Sequence, residues 1–184
     1  MTESIEVTLH QLLDARECRA ARQKELIEKY KLPLVSFTIN MPGPVKVTSD
    51  SAVLFLEGCK ALVNKLKEAG LTGVYFETND HLTGFEAYYV VDTNARKLKA
   101  LMLETESEHP LGRLFDLDVI GAGGLPISRE DFGNPKRKCL LCDGDAHGCG
   151  RSRKHTVEEL VQKIKSIVDS YLSAIDAPGD RFYL

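Results

Sequence analysis

Between His109 and His155, two groups of residues have the types and spacing to do chemistry. The first is the run HPLGRLFDLDV, which carries Asp116 and Asp118 at i and i+2 within an apolar stretch. In an extended strand those positions share a face, so both carboxylates project together while Phe115, Leu117 and Val119 turn into a core. Two acids that close repel unless a positive charge sits between them. A divalent cation is the usual solution, and Mg²⁺ is typically held by one or two carboxylates plus substrate phosphates. The pattern points to phosphoryl or nucleotidyl transfer, with two acids on a solvent-facing strand as the plain alternative. Gly112 lets backbone approach closely, and Arg113 supplies a guanidinium suited to phosphate. Asp131, Glu104 or Glu106 could add a third acid. His109, just before Pro110, is a candidate proton donor or acceptor, with a capping or buried histidine as the alternative.

The second group is Cys139, Cys142, Cys149 and His155, spaced C-x2-C-x6-C-x5-H. Two thiolates at C-x-x-C spacing can reach one tetrahedral ion, and Cys149 with His155 could close a Cys₃His zinc site. His147 could take the place of His155, and clustered free thiols are the other reading. Gly144, Gly148 and Gly150 give such a loop room to wrap. Six Lys or Arg residues (Lys136, Arg137, Lys138, Arg151, Arg153 and Lys154) surround these cysteines against Asp143 and Asp145, a local net charge of +4. That collar suits an anion cradle or an acidic partner protein.

These residues need a scaffold. The chain of 184 residues is read as one domain, 43% hydrophobic and 28% charged, long enough to bury a core without staples. A net charge of −3 argues against a general nucleic-acid or anionic-membrane binder. There is no apolar run long enough for a membrane helix and no signal-peptide pattern at the start, so a cytoplasmic location is expected. Five cysteines in a reducing compartment are not a disulfide framework, and Cys18 and Cys59 are expected to be buried thiols.

Thr8 with Gln11 suits a capping box opening a helix from Thr8 to Lys29, with Leu9, Leu12, Leu13, Leu26 and Ile27 as its apolar stripe. Leu34–Ile39 reads as a strand, followed by a shaped Asn40–Pro44 loop. A helix from Asp50 to Ala69 ends at Gly70. Strands follow at Val74–Thr78 and Phe85–Val91, then a helix from Asn94 to Glu106. The carboxylate strand spans Leu114–Ile120 and is expected to form a hairpin with a short strand at Leu125–Ser128. Residues 135–155 read as an irregular, cysteine-rich basic loop. A last amphipathic helix over 156–173 opens at Thr156 with Glu159, and the tail after Asp176 is expected to be loosely held. The class is α+β, with a mixed or antiparallel sheet, packed helices, a nucleotidyltransferase-like carboxylate strand and a cysteine-rich loop.

Five segments, in order, make the chain similar to one family: PLVSFT at Pro33–Thr38, PGP-x-K at Pro42–Lys46, HPLGRLFDLDV at His109–Val119, ISRED at Ile127–Asp131, and CLLC…C…H at Cys139–His155. It resembles the apo-citrate lyase phosphoribosyl-dephospho-CoA transferases, also called citrate lyase holo-acyl-carrier-protein synthases. The resemblance implies transfer of phosphoribosyl-dephospho-CoA from 2′-(5″-triphosphoribosyl)-3′-dephospho-CoA to a serine of the citrate lyase acyl carrier subunit, with release of pyrophosphate. On that reading Asp116 and Asp118 hold Mg²⁺, and Arg113, Lys46, Arg129, Arg137 and Arg151 bind substrate phosphates. One of the acids or His109 takes the serine proton. Two other readings stay open: the equivalent transferase for a malonate decarboxylase carrier, and a non-catalytic zinc-knuckle adaptor that docks an acidic carrier protein.

Overall fold

The computed structural model describes residues 5–175. They divide into two compact units, the first ending at Lys136 and the second starting at Arg137. The expected tail after Asp176 lies outside the described residues.

In the first unit, helix α1 (Leu9–Tyr30) is opened by the capping box foreseen from Thr8 and Gln11, and left-handed Lys31 (φ 55°) ends it. Strand β1 (Leu34–Ile39) leads through the proline loop to α2 (Ser49–Glu68), which also opens with a capping box, from Thr48 and Ser51. Strands β2 (Gly73–His81) and β3 (Gly84–Val91) form a hairpin, followed by α3 (Ala95–Glu108), capped by the Asn94 side chain. A 3₁₀ turn (Gly112–Leu114) feeds β4 (Phe115–Ile120). The class is α+β, as expected, and the sheet is antiparallel throughout in the order β2-β3-β1-β4.

Strand alternation divides the sheet into two unlike faces. Val35, Phe37, Tyr89, Phe115 and Leu117 point to the side of α2 and are buried. There Phe37 stacks on Phe55 of α2 (ring centroids 5.4 Å) and meets Phe115 edge-on at 5.6 Å. Gly58 is what lets α2 sit so close: a Cβ there would lie 2.2 Å from Phe37 Cζ. The other face is apolar at one end only, where Leu26 and Ile27 of α1 pack on Leu34, Tyr88, Val90 and Ile120.

Along the rest of that face, α1 is held by polar contacts. Arg19 Nη2 lies 2.7 Å from Glu86 Oε1, and Gln23 Nε2 donates to Ser36 Oγ at 2.9 Å. Arg22 grips Glu77, which also accepts from the Tyr75 hydroxyl (2.6 Å) and Asn79 Nδ2 (3.0 Å). The guanidinium and these donors hold the Glu77 carboxyl down to about 2.

Three expectations need correction. The stripe on α1 is shorter than foreseen: Leu9 and Leu13 are exposed, as is Cys18, because the helix meets the sheet through arginines over its middle turns. No strand forms at Leu125–Ser128. Only one bridge, Ile120 to Pro126, links that segment to β4, made by Gly121 N donating to Leu125 O and Ile127 N donating to Val119 O, both at 2.8 Å. The 135–155 segment is not wholly irregular, since it contains helix α4 (Ala146–Ser152), whose N-cap Asp145 accepts from Gly148 N at 2.7 Å. Helix α5 (Val157–Ile175) follows, with reciprocal Thr156 and Glu159 bonds at its start as expected.

Two outcomes test this packing. Gly58→Ala should lose about 1–2 kcal/mol net, the helix gain offsetting part of the overpacking, or roughly 2–8 °C in Tm. Thermal melts of the variant, and of its pairing with Phe37→Leu to relieve the clash, check it. Glu77 remains charged in the fold far below its ordinary 4.5, so its stabilisation is complete above about pH 5 and drains away as pH falls toward 2. Glu77→Gln should therefore melt lower than the parent at neutral pH, with the gap closing between pH 4.5 and 2 in a pH series of melts.

Candidate active site

Cross-strand register builds the site. Residues directly opposite one another share a face, so pairing sets Asp118, Ser36 and Tyr88 in one row and Asp116, Thr38 and Glu86 in the next. This is the face that α1 covers. Asp116 is half-buried and Asp118 exposed, while the intervening Phe115, Leu117 and Val119 are buried on the opposite side, as the i, i+2 spacing foresaw.

The sheet end that holds Asp116 and Glu86 also gathers cations. Arg19 donates to Glu86 through Nε (2.8 Å) as well as Nη2, and the Tyr88 hydroxyl donates to the other carboxylate oxygen at 2.7 Å. Glu86 is thus a buried carboxylate with a full set of partners. Lys46 packs its Cβ near Gly84 and donates Nζ to the Met41 carbonyl, which ties the proline loop down at that end. Burial lowers the Lys46 pKa, and the charge of neighbouring Arg16 lowers it further. Arg113 is exposed on the 3₁₀ turn just before β4. Gly112 beside it is obligatory, because a Cβ would stand 2.6 Å from the carbonyl oxygens of both Thr105 and Glu106.

Arg16, Arg19 and Glu86 were not foreseen. Two signals could have found them: Arg16, Arg19 and Arg22 recur every third residue on a helix that has few inward apolar residues, and Glu86 interrupts an apolar strand.

The structure does not bring the other foreseen residues to this face. The His109 ring rests on Phe115 (centroids 5.1 Å), on the α2 side of the sheet. Its Nδ1 accepts from Leu111 N at 3.1 Å, and burial lowers its pKa against the opposing charge of Glu57. Glu106 accepts from Leu117 N at 3.2 Å along the outer edge of β4, with Arg129 Nη2 3.9 Å away. Glu104 pairs with Lys65 at 3.0 Å. Asp131 is exposed on a 3₁₀ turn whose carbonyl meets Arg96.

The second unit holds Arg137, Arg151 and the cysteines. Among the described residues, the one group of three or more His, Cys, Asp or Glu able to converge on a metal is Cys139, Cys142, Cys149 and His155, with ligand atoms all within 4.8 Å of one another. His155, not His147, is the fourth member. Leu141 N donates to Cys139 Sγ at 3.5 Å, and this backbone donor lowers the Cys139 pKa. The Asp116–Asp118 pair is not such a group.

A family model described as apo-citrate lyase phosphoribosyl-dephospho-CoA transferase matches residues 7–171. A Vibrio cholerae serotype O1 protein named "Probable apo-citrate lyase phosphoribosyl-dephospho-CoA transferase" is 43% identical over 91% of this chain and 94% of its own. A Citrobacter koseri protein named as such a transferase is 35% identical over 88% of each chain. The Haemophilus influenzae protein named CitXG is 38% identical over all of this chain, which covers 39% of that longer protein. With its carboxylate strand, proline loop and cysteine cluster all inside the matched span, this chain belongs to the apo-citrate lyase phosphoribosyl-dephospho-CoA transferase family.

Proposed function

We propose that this protein transfers phosphoribosyl-dephospho-CoA from its triphosphoribosyl donor to a serine of the citrate lyase acyl carrier subunit, with loss of pyrophosphate. One observation carries the reading: in a chain of this family, two carboxylates share a sheet face with cations gathered at the same end. Attack at an α-phosphorus needs its departing pyrophosphate neutralised, and positioning plus electrostatics do most of that work in phosphoryl chemistry.

Asp116 and Asp118 would hold Mg²⁺, which would supply charge neutralisation across the triphosphate and its leaving group. Arg16, Lys46 and Arg113 bind the donor's phosphates and set the α-phosphorus toward the carrier. Arg19 is committed to Glu86 and acts by fixing α1, and with it Arg16, over the sheet. The carrier serine gives its proton to one of the two acids. His109, on the far side of the sheet, holds the turn into β4 through its bond to Leu111 N. Arg137, Arg151 and the surrounding basic residues greet the carrier, since acyl carrier proteins are acidic.

Intact mass of the apo carrier, incubated with this protein, donor and Mg²⁺, should rise by one phosphoribosyl-dephospho-CoA and not rise in EDTA. Asp116→Asn should lower kcat by about 10²-fold or more with an unchanged melting curve. Near-normal transfer by that variant would remove the carboxylate from the chemistry. Arg16→Ala should raise the donor KM by roughly 10-fold, as expected for one lost cation–phosphate contact, and move kcat less. Equal KM for parent and variant would take Arg16 out of the phosphate site.

A further inference from the structure

We infer that Cys139, Cys142, Cys149 and His155 form a structural zinc site that holds the second unit together, independently of the transferase reading. The ligand atoms all lie within 4.8 Å of one another, and the approaches of Cys149 and His155 to Cys142 Sγ match one tetrahedral ion. With Zn–S near 2.3 Å and Zn–N near 2.0 Å, tetrahedral geometry sets S···S at about 3.8 Å and S···N at about 3.5 Å. Cys142 Sγ lies 3.6 Å from Cys149 Sγ and 3.3 Å from His155 Nε2. A disulfide would need sulfurs at about 2.05 Å, so the 3.6 Å pair is not one.

The local backbone is arranged for the same purpose. Cys139 N donates to Gly144 O at 2.7 Å, closing the C-x-x-C turn. Leu141 N donates to the Cys139 sulfur. Gly144 leaves the centre clear, since a Cβ there would stand 3.2 Å from Cys149 Sγ and 3.5 Å from Cys142 Sγ. Lys154 Nζ lies 3.5 Å from Cys142 Sγ. Three thiolates, one neutral imidazole and Zn²⁺ carry a net charge of −1, and this ammonium opposes it. Three sulfurs and one nitrogen favour zinc over hard cations, and four protein ligands leave no open position, so the site is structural rather than catalytic.

The need for it is physical. Helix α4 has only seven residues, with Gly148 and Gly150 among them, too short to persist on its own. The four ligands sit on three pieces of this segment: Cys139 and Cys142 on the turn, Cys149 on α4, His155 just before α5. One ion joins all three pieces.

The full-length untagged protein, purified without added metal, should contain one zinc per chain by elemental analysis. Stepwise mercaptide titration should release that zinc as three thiols are consumed. Cobalt exchanged into the same protein should give the intense visible bands of a tetrahedral cobalt–thiolate centre. Cys142→Ser should abolish metal binding, whereas Cys18→Ser and Cys59→Ser should retain one zinc. Because Cys142→Ser could also disturb folding, the cobalt spectrum of the parent protein is decisive. Octahedral, weak cobalt bands would overturn the site. So would a chain without metal after refolding in zinc, or zinc retained with Cys142 and Cys149 both replaced.

Discussion

Glu86 is a charge placed where charge is costly, in a strand whose neighbours are apolar. A buried carboxylate survives there only with a cation and donors to satisfy it, and Arg19 and Tyr88 are those partners. That requirement fixes more than one side chain. It sets the height and rotation of α1 over the sheet. Arg22 on Glu77 and Gln23 on Ser36 repeat the constraint one turn further along. Apolar packing takes over only at the far end, through Leu26 and Ile27. The helix is clamped at one end and bridged by polar contacts over its middle.

The two faces of the sheet divide the labour accordingly. On the α2 side, stacked aromatic rings and a glycine contact make a dense core that keeps β1 and β4 straight and in register. On the α1 side, polar pairs join helix and sheet: Arg19 with Glu86, Arg22 with Glu77 and Gln23 with Ser36.

Much of this was legible in the sequence. Alternation along FDLDV fixed which side chains are buried on β4, and caps at Thr8 and Thr156 marked helix starts, because these signals are local. The C-x2-C-x6-C-x5-H spacing named the four residues that converge, since a short loop leaves few other ways to gather them. What stayed hidden was non-local. Arg19 and Glu86 are 67 positions apart, and nothing near either residue announces the other. His109 adjoins the acids in sequence, yet the turn through Gly112 carries its ring to the opposite face. The stripe assigned to α1 held only at Leu26 and Ile27, for a related reason: leucines at helical spacing say nothing about turns that are bonded through arginines. Helix α4 was masked by glycines, whose low helix propensity the Asp145 cap offsets only in part.

Strand β4 lies at the edge of the sheet, where backbone groups without partners would accept a passing strand; Ile127 N already donates to the Val119 carbonyl at one end. Here Glu106 takes the Leu117 N–H and Lys99 Nζ donates to the Leu117 carbonyl at 3.1 Å, both reaching across from α3. The residue they clasp is the one between the two aspartates. A slip of β4 by a single position would swing both acids into the aromatic core and lift Phe115 and Leu117 to the polar side. Pairing with β1 resists that slip from within, and these two side chains resist it from outside. The outer edge of β4 therefore serves as a register lock, and it also refuses an added strand at Leu117.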